Sequence, residues 1–302
     1  MKISKILLIA IMLLSISNIQ AQSTAIPPAK LSKDWKYLLD PNFINFDKFM
    51  GVPHYSITGL PDYPKGDGME GTPIGLNKDP LNVFTMIKEN NEDVLYITGQ
   101  IYGGLSTKEE YGDYHLSVQF KWGEKVYEPR LTKPKDSGIL YHCVGEHGGF
   151  WNVWMNSIEY QVCENEIGDL FALSKRRLLV NSELDSDNFW IYNSTKSENA
   201  FGGGIPEGAK NRYRCKSSKH DEKPIGEWST LEIYCIGDVG VHVLNGKVVN
   251  VVKENTKAEI ENKENFLRKG KIQFQSEGAE CWYKDIKIKA LTKLPNEILI
   301  QL

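Results

Sequence analysis

Cysteine is scarce and oddly numbered in this chain of 302 residues. The five, Cys143, Cys163, Cys215, Cys235 and Cys281, include no C-x-x-C pair, which removes support for a structural zinc site or a dithiol redox motif. An odd count leaves at least one thiol unpaired. Cys143 and Cys163 end two successive segments and could bridge if those strands are neighbours; small buried thiols are at least as good a reading. Basic charge is also lacking. The formal net charge is −3, and without Lys2 and Lys5 it becomes −3 − 2 = −5, so no electrostatic footprint for nucleic acid exists. The first apolar run is too short to span a bilayer, no later run could cross one, and no internal repeat appears.

The first run has its own meaning. Lys2 and Lys5 precede the apolar stretch Ile6 to Leu14, and Ala21 closes I-Q-A before Gln22. This pattern predicts a signal peptide over 1–21 and a product exported to the periplasm or beyond. A Pro27-Pro28 linker, 22–30, would follow, then one domain over 31–295 and a C-terminal tail, 296–302. Two stretches poor in periodicity, 41–80 and 170–224, read as long loop insertions, with A-F-G-G-G-I-P-E-G-A-K inside the second.

Helical periods are few and period-2 patterns many. Trp35 to Leu39 is a plausible first strand, and V-L-Y-I-T-G-Q-I-Y-G-G-L-S-T is β-rich, with Gly103-Gly104 marking a bulge or close backbone approach. In Y-H-L-S-V-Q-F-K, Tyr114, Leu116, Val118 and Phe120 share one face. Asn245-Gly246 between two alternating runs predicts a type I′ hairpin. A helical turn is expected near Glu259 to Phe266, and two strands around Ser276-Glu277-Gly278. Short strands at roughly ten-residue spacing predict an all-β, antiparallel sandwich.

The polar residues of two segments carry the candidate chemistry. In S-I-E-Y-Q-V-C-E, Glu159 and Gln161 share a strand face, opposite Ile158, Tyr160 and Val162. In D-S-G-I-L-Y-H-C-V, His142 would join that face if the strands pair; it suits proton transfer or metal ligation, though a lone strand histidine is as often structural. Asp136 either serves the site or caps its own turn. Glu164 and Asp169, with Glu159, form an acidic set that could hold a divalent cation, or simply a solvated loop. Tyr102, Trp151 and Trp154 could stack on a sugar face or belong to the core.

The runs Y-G-G-L-S-T-K-E-E-Y-G-D-Y-H-L, F-K-W-G-E-K, D-S-G-I-L-Y-H-C-V-G, S-I-E-Y-Q-V-C-E-N-E-I-G-D, K-P-I-G-E-W and L-N-G-K-V-V-N, in this order, resemble the family once called domain of unknown function 1080, associated with 3-keto-glycoside hydrolysis or 1,2-lyase activity. The resemblance spans about Trp35 to Leu291. It implies a concanavalin A-like jelly roll with a groove on the concave sheet, secretion, and an oxidised (3-keto) glycoside or oligosaccharide as ligand. It implies Glu159 as base or metal ligand, His142 as proton-transfer partner and Gln161 as a positioning donor. Lys108, Lys121 and Arg130 lie in or beside matching motifs and could offset enolate charge. Where many relatives carry a His after the strand matching I-Q-F-Q and an Arg before the last strand, this chain has Ser276-Glu277-Gly278 and Tyr283-Lys284-Asp285. Gln275, Glu277 and Lys284 are therefore expected on that side of the groove. A conventional glycosidase would need paired carboxylates, and a pure carbohydrate-binding protein could use the same groove.

Overall fold

A computed structural model describes residues 34–60, 62–203, 211–256 and 268–302. The expected signal peptide, the linker and the helical turn at 259–266 lie outside the described residues. Residues 34–302 belong to one compact unit.

The strands in chain order begin with β1 Lys36–Tyr37, β2 Phe46–Met50, β3 Gly75–Leu76, β4 Phe84–Glu89, β5 Glu92–Ile97, β6 Gly103–Thr107 and β7 Tyr114–Val126. Then come β8 Asp136–Val144, β9 Asn156–Cys163, β10 Leu170–Ala172, β11 Arg177–Leu184, β12 Trp190–Tyr192, β13 Glu198–Gly202 and β14 Arg214–Cys215. The last are β15 Ser229–Ile236, β16 Val239–Leu244, β17 Lys247–Glu254, β18 Lys271–Ser276 and β19 Ala279–Ala290, before the short helix α1, Asn296–Leu299.

They form two antiparallel sheets, the lectin-like sandwich that the alternating segments and the resemblance predict. The larger runs β12-β11-β17-β16-β15-β7-β19-β5-β4, with β1 on β19 and β13 on β11; the smaller runs β14-β10-β9-β8-β18-β6-β2-β3. Tyr114, Leu116, Val118 and Phe120 of β7 are buried against Ile139, Tyr160 and Phe274 of the smaller sheet. Each such side chain contributes roughly 1.5–3 kcal/mol by leaving water, so the alternation fixes which face of every strand turns inward. Asn245 and Gly246 both have positive φ, 49° and 79°, and join β16 to β17 as a type I′ turn requires.

Several expectations are corrected. The stretch 41–80 contains β2 and β3, which continue the smaller sheet beyond β6, and 170–224 contains β10 to β14. Ala200 to Gly202 lie in β13 and pair with β11 rather than forming a loop. Val94 to Thr107 is two strands in different sheets, and the Ser276-Glu277-Gly278 turn likewise carries the chain from one sheet to the other. Gly103 and Gly104 are close approaches: a Cβ on Gly103 would lie 2.9 Å from the Phe49 carbonyl, and one on Gly104 would strike the Gln273 side chain. The tail is docked, with Ile298 buried beside Tyr234 and Val243. Cys143 and Cys163 are free and buried; Asp136 sits opposite Cys163, and Cys143 lies seven residues further along β8, about 23 Å at strand rise.

Two histidines buried in this frame make stability depend on pH. His242 accepts a hydrogen bond at Nε2 from the Tyr141 hydroxyl, 3.0 Å, while Nδ1 donates to the Gly168 carbonyl, 3.2 Å. Burial pushes His242 down to about 4, and burial with the Arg176 charge pushes His142 down to about 3. A histidine held neutral stabilises the fold above its unfolded pKa near 6.5, and that contribution is lost as pH falls toward the folded value. Glu277, raised to about 7, and Glu159, raised by burial well above the usual carboxylate range, act oppositely: as pH falls toward 4.5 these two carboxyls strengthen the fold while the two histidines weaken it. The unfolding free energy from urea titrations is therefore expected to vary little between pH 6.5 and 4.5. Below pH 4.5, where the carboxyl gain is exhausted and the histidine loss continues, it should drop steeply; a steady decline starting at pH 6.5 would contradict this balance.

Candidate active site

The outer face of the smaller sheet is built by the residues that alternate with its core. Pairing of β8 with β9 sets Gly138 opposite Gln161 and Leu140 opposite Glu159; β18 on the other side of β8 contributes Gln275. Asp136, Glu159, Gln161, Gln275 and Glu277 floor a cavity of about 980 Å³, within the range of sites that enclose small ligands. The aromatic residues Phe150, Trp151 and Trp154 wall it on the β6 side, where Trp154 stacks on Tyr102, centroids 5.8 Å apart. Phe171, Arg212, Tyr213 and Arg214 wall it on the β10–β14 side.

Three carboxyls in this floor are buried, Asp136 with 3%, Glu159 with 6% and Glu277 with 6% exposure. Burial pushes the Glu159 carboxyl well above the usual carboxylate range, and the charge of Glu277 adds to this; a hydrogen bond from Gln275 and the charge of Arg130 pull it back. Burial raises Glu277 to about 7 against the Arg130 and Lys133 charges and a hydrogen bond from Arg130. The two therefore differ at neutral pH: Glu159 holds its proton, and Glu277 is poised to gain or lose one. Arg130 joins them to Asp136, its Nη2 lying 2.7 Å from Glu277 Oε1 and also paired with Asp136 Oδ2. Asp136 Oδ1 accepts from the Ser137 N–H, 3.0 Å, so it serves its own backbone as well as the site.

Gln161 is buried on this floor, and its amide oxygen has no partner among the described residues; the same holds for Gln275. Both offer capacity to sugar hydroxyls. Trp151 is 54% exposed at the rim, lies 4.7 Å from Phe150 in a stacked pair and 5.9 Å from Trp154. An exposed indole held flat by a second ring is a platform for a pyranose face. Trp151→Ala is expected to raise KM by roughly threefold to tenfold with little change in kcat, since stacking of this kind contributes about 0.5–1.5 kcal/mol; steady-state kinetics decide it, and an unchanged KM would remove Trp151 from the site.

Other candidates lie elsewhere. His142 sits at a bulge in β8, where the pairing with β9 shifts between Tyr141 and Val144 and its own φ is 50°. The irregularity breaks the alternation that would have set it beside Glu159. Its ring instead meets Tyr114 and Tyr141, and its carbonyl accepts from Arg176. Lys121 and Lys284 project from the outer face of the larger sheet, paired with Glu89 at 2.7 Å and Glu92 at 2.6 Å, both over the Trp228 ring. Lys108 donates to the Ile44 carbonyl, 2.9 Å. The acidic set does not converge. Asp169 is buried with its oxygens on Arg214 and the Ser217 N–H, 2.7 Å; Glu164 faces Lys135 at 3.9 Å. No three metal-ligating side chains meet among the described residues, so the donors expected for a divalent cation do not fit one, and no step is derived through it.

The site also holds residues not singled out in the sequence. Phe171 lies on the three-residue strand β10, which shows no period of its own. Arg212 and Tyr213 precede a two-residue strand that Arg214 begins, too short to show a period. Residues 75–289 match the family described as the 3-keto-alpha-glucoside-1,2-lyase-like domain. The chain belongs to that family. The 3-keto-alpha-glucoside-1,2-lyase-like match covers β3 to most of β19, and with it every residue of the cavity floor. No curated protein matches the chain. Among solved structures it is similar to a candidate glycosyl hydrolase from Parabacteroides distasonis ATCC 8503, at 18% identity and TM-score 0.45, covering 85% of this chain and 99% of that one. It is also similar to the carbohydrate-binding module CBM66 from Bacillus subtilis, at 8% identity and TM-score 0.38, covering 68% and 92%.

Proposed function

We propose that the cavity cleaves 3-keto-glycosides by β-elimination, with hydration of the product completing a net hydrolysis. The observation that carries this reading is the pair of buried carboxyls, Glu159 and Glu277, in one cavity, with Arg130 paired to Glu277 and burial raising both carboxyls. A ketone at C3 acidifies the C2 hydrogen. Glu277 as carboxylate takes that proton, the guanidinium of Arg130 offsets the charge developing at O3, and the C1–O bond breaks as its electron pair leaves with the aglycone oxygen. Glu159, neutral, gives the leaving oxygen its proton. Its position in E-x-Q suggested a base, but its protonation state suits it first as the acid. Water then adds across C1=C2, losing a proton to Glu159 while Glu277 returns one to C2, and both groups are reset.

The test is to incubate the purified protein with a 3-keto-glucoside and with the unoxidised glucoside. Release of aglycone from the keto sugar alone, with transient ultraviolet absorbance of the unsaturated ketosugar, is the expected result. Equal cleavage of both would point to a conventional glycosidase, and binding without turnover of either would overturn the enzyme reading.

A further inference from the structure

Three arginines line the cavity, and their pairing differs. Arg130 is met by Asp136 and Glu277. Arg214 is met by Asp169 at 2.5 Å and Glu166 at 2.7 Å, which occupies both carboxylates at that end. Arg212 has no carboxylate among the described residues. Its Nη1 donates to the Ala200 carbonyl, 3.1 Å, and its guanidinium carbon lies 3.7 Å from the Trp190 ring centroid, so the fork is held in place while its charge goes unanswered. A guanidinium stays charged at any physiological pH, and one half withdrawn from water is a standing demand for an anion.

Its location relative to the reacting groups gives the demand a direction. Phe171 on β10 is the cross-strand neighbour of Glu159, and Arg214 on β14 is the neighbour of Phe171. At about 4.8 Å per strand, β14 lies roughly 10 Å from Glu159. Between them the Phe171 and Tyr213 rings, centroids 5.9 Å apart, give an apolar path. If Glu159 protonates the leaving oxygen, the leaving group extends over these rings toward Arg212.

We propose that Arg212 selects leaving groups that carry a carboxylate about one ring away from the glycosidic oxygen. This rests on the elimination reading for its orientation, but the charge preference is measurable without turnover. Calorimetric binding of 4-carboxyphenyl glucoside and phenyl glucoside of the same anomeric form should favour the carboxylate by about tenfold, as a charge-assisted hydrogen bond would give. In Arg212→Gln the ratio should fall to near one, and in Arg212→Lys part of it should return. In the unaltered protein the ratio should shrink as salt is raised, a measurement that stands even if the variants fail to fold. Equal affinities in the unaltered protein, or a preference that survives Arg212→Gln, would overturn the proposal. The 3-keto forms of the same pair separate the two ideas: a carboxylate preference in binding with no cleavage of either keto form would sink elimination and leave the selectivity of Arg212 standing.

Discussion

Glu277→Gln should lower turnover of a 3-keto-glycoside by about a thousandfold or more and, at pH 8, make the folded protein more stable. Both effects come from one property. Burial on the cavity floor raises this carboxyl from its ordinary range to about 7, even with Arg130 2.7 Å away. A base with that pKa is half ionised at neutral pH and pulls well on a C2 proton; removing such a group commonly costs 10²–10⁴-fold. A carboxyl whose folded pKa is raised contributes its full stability below the unfolded value near 4.5 and loses it as pH rises through the folded value. The loss amounts to about 3 kcal/mol by pH 8 for a shift of this size. Glutamine does not titrate. The variant and the parent should thus be nearly equal in unfolding free energy at pH 4.5 and diverge, in favour of the variant, as the solution is made alkaline. Turnover of the parent should rise through pH 7 as Glu277 ionises and fall at higher pH where Glu159 gives up its proton. Undiminished activity in Glu277→Gln would return the role of base to Glu159.

The fold was legible wherever strands were long and one-sided. Tyr114 to Phe120 and the Asn245-Gly246 hairpin each state a period or a turn in a few residues, because a half-buried antiparallel strand must alternate. The same physics made Glu159 and Gln161 readable as partners. It failed where the regularity it assumes is broken. His142 was expected beside Glu159 by counting along β8, but the bulge shifts the register and turns its ring to Tyr114. The strands β10, β12 and β14 have 3, 3 and 2 residues, and exist because neighbours complete their hydrogen bonds, so nothing in their own sequence announces them. Arg212, Tyr213 and Phe171 were hidden for that reason. Glu277 was expected on one side of the groove from the resemblance, but not as a buried carboxyl: it reads as a turn residue, and only the passage of the chain from one sheet to the other carries a turn position to the cavity floor.

Gly138→Ala is expected to abolish measurable turnover and to destabilise the fold by roughly 1–3 kcal/mol, the usual cost of forcing an extra methyl into a packed site. Gly138 sits on β8 between the strands that carry the reacting groups, and its backbone needs no positive φ, so the glycine is there for space alone. A Cβ at this position would lie 2.5 Å from Glu159 Oε1 and closer still to Gln275 Oε1. Neither is a flexible end with somewhere to go, since both side chains are almost fully buried. The methyl group must therefore displace Glu159 from the position in which it meets the leaving oxygen, and a misplacement near 1 Å can cost about a hundredfold by itself. Displacement also changes the company Glu159 keeps, parting it from Gln275. Kinetics on the keto sugar, read beside urea unfolding, distinguish the two effects: a variant that loses stability yet turns over normally would show that the contact between Glu159 and Gln275 is packing and not part of the chemistry. A variant that folds, still binds the unoxidised glucoside and cannot cleave the oxidised one would place the geometry around Glu159 at the reacting bond.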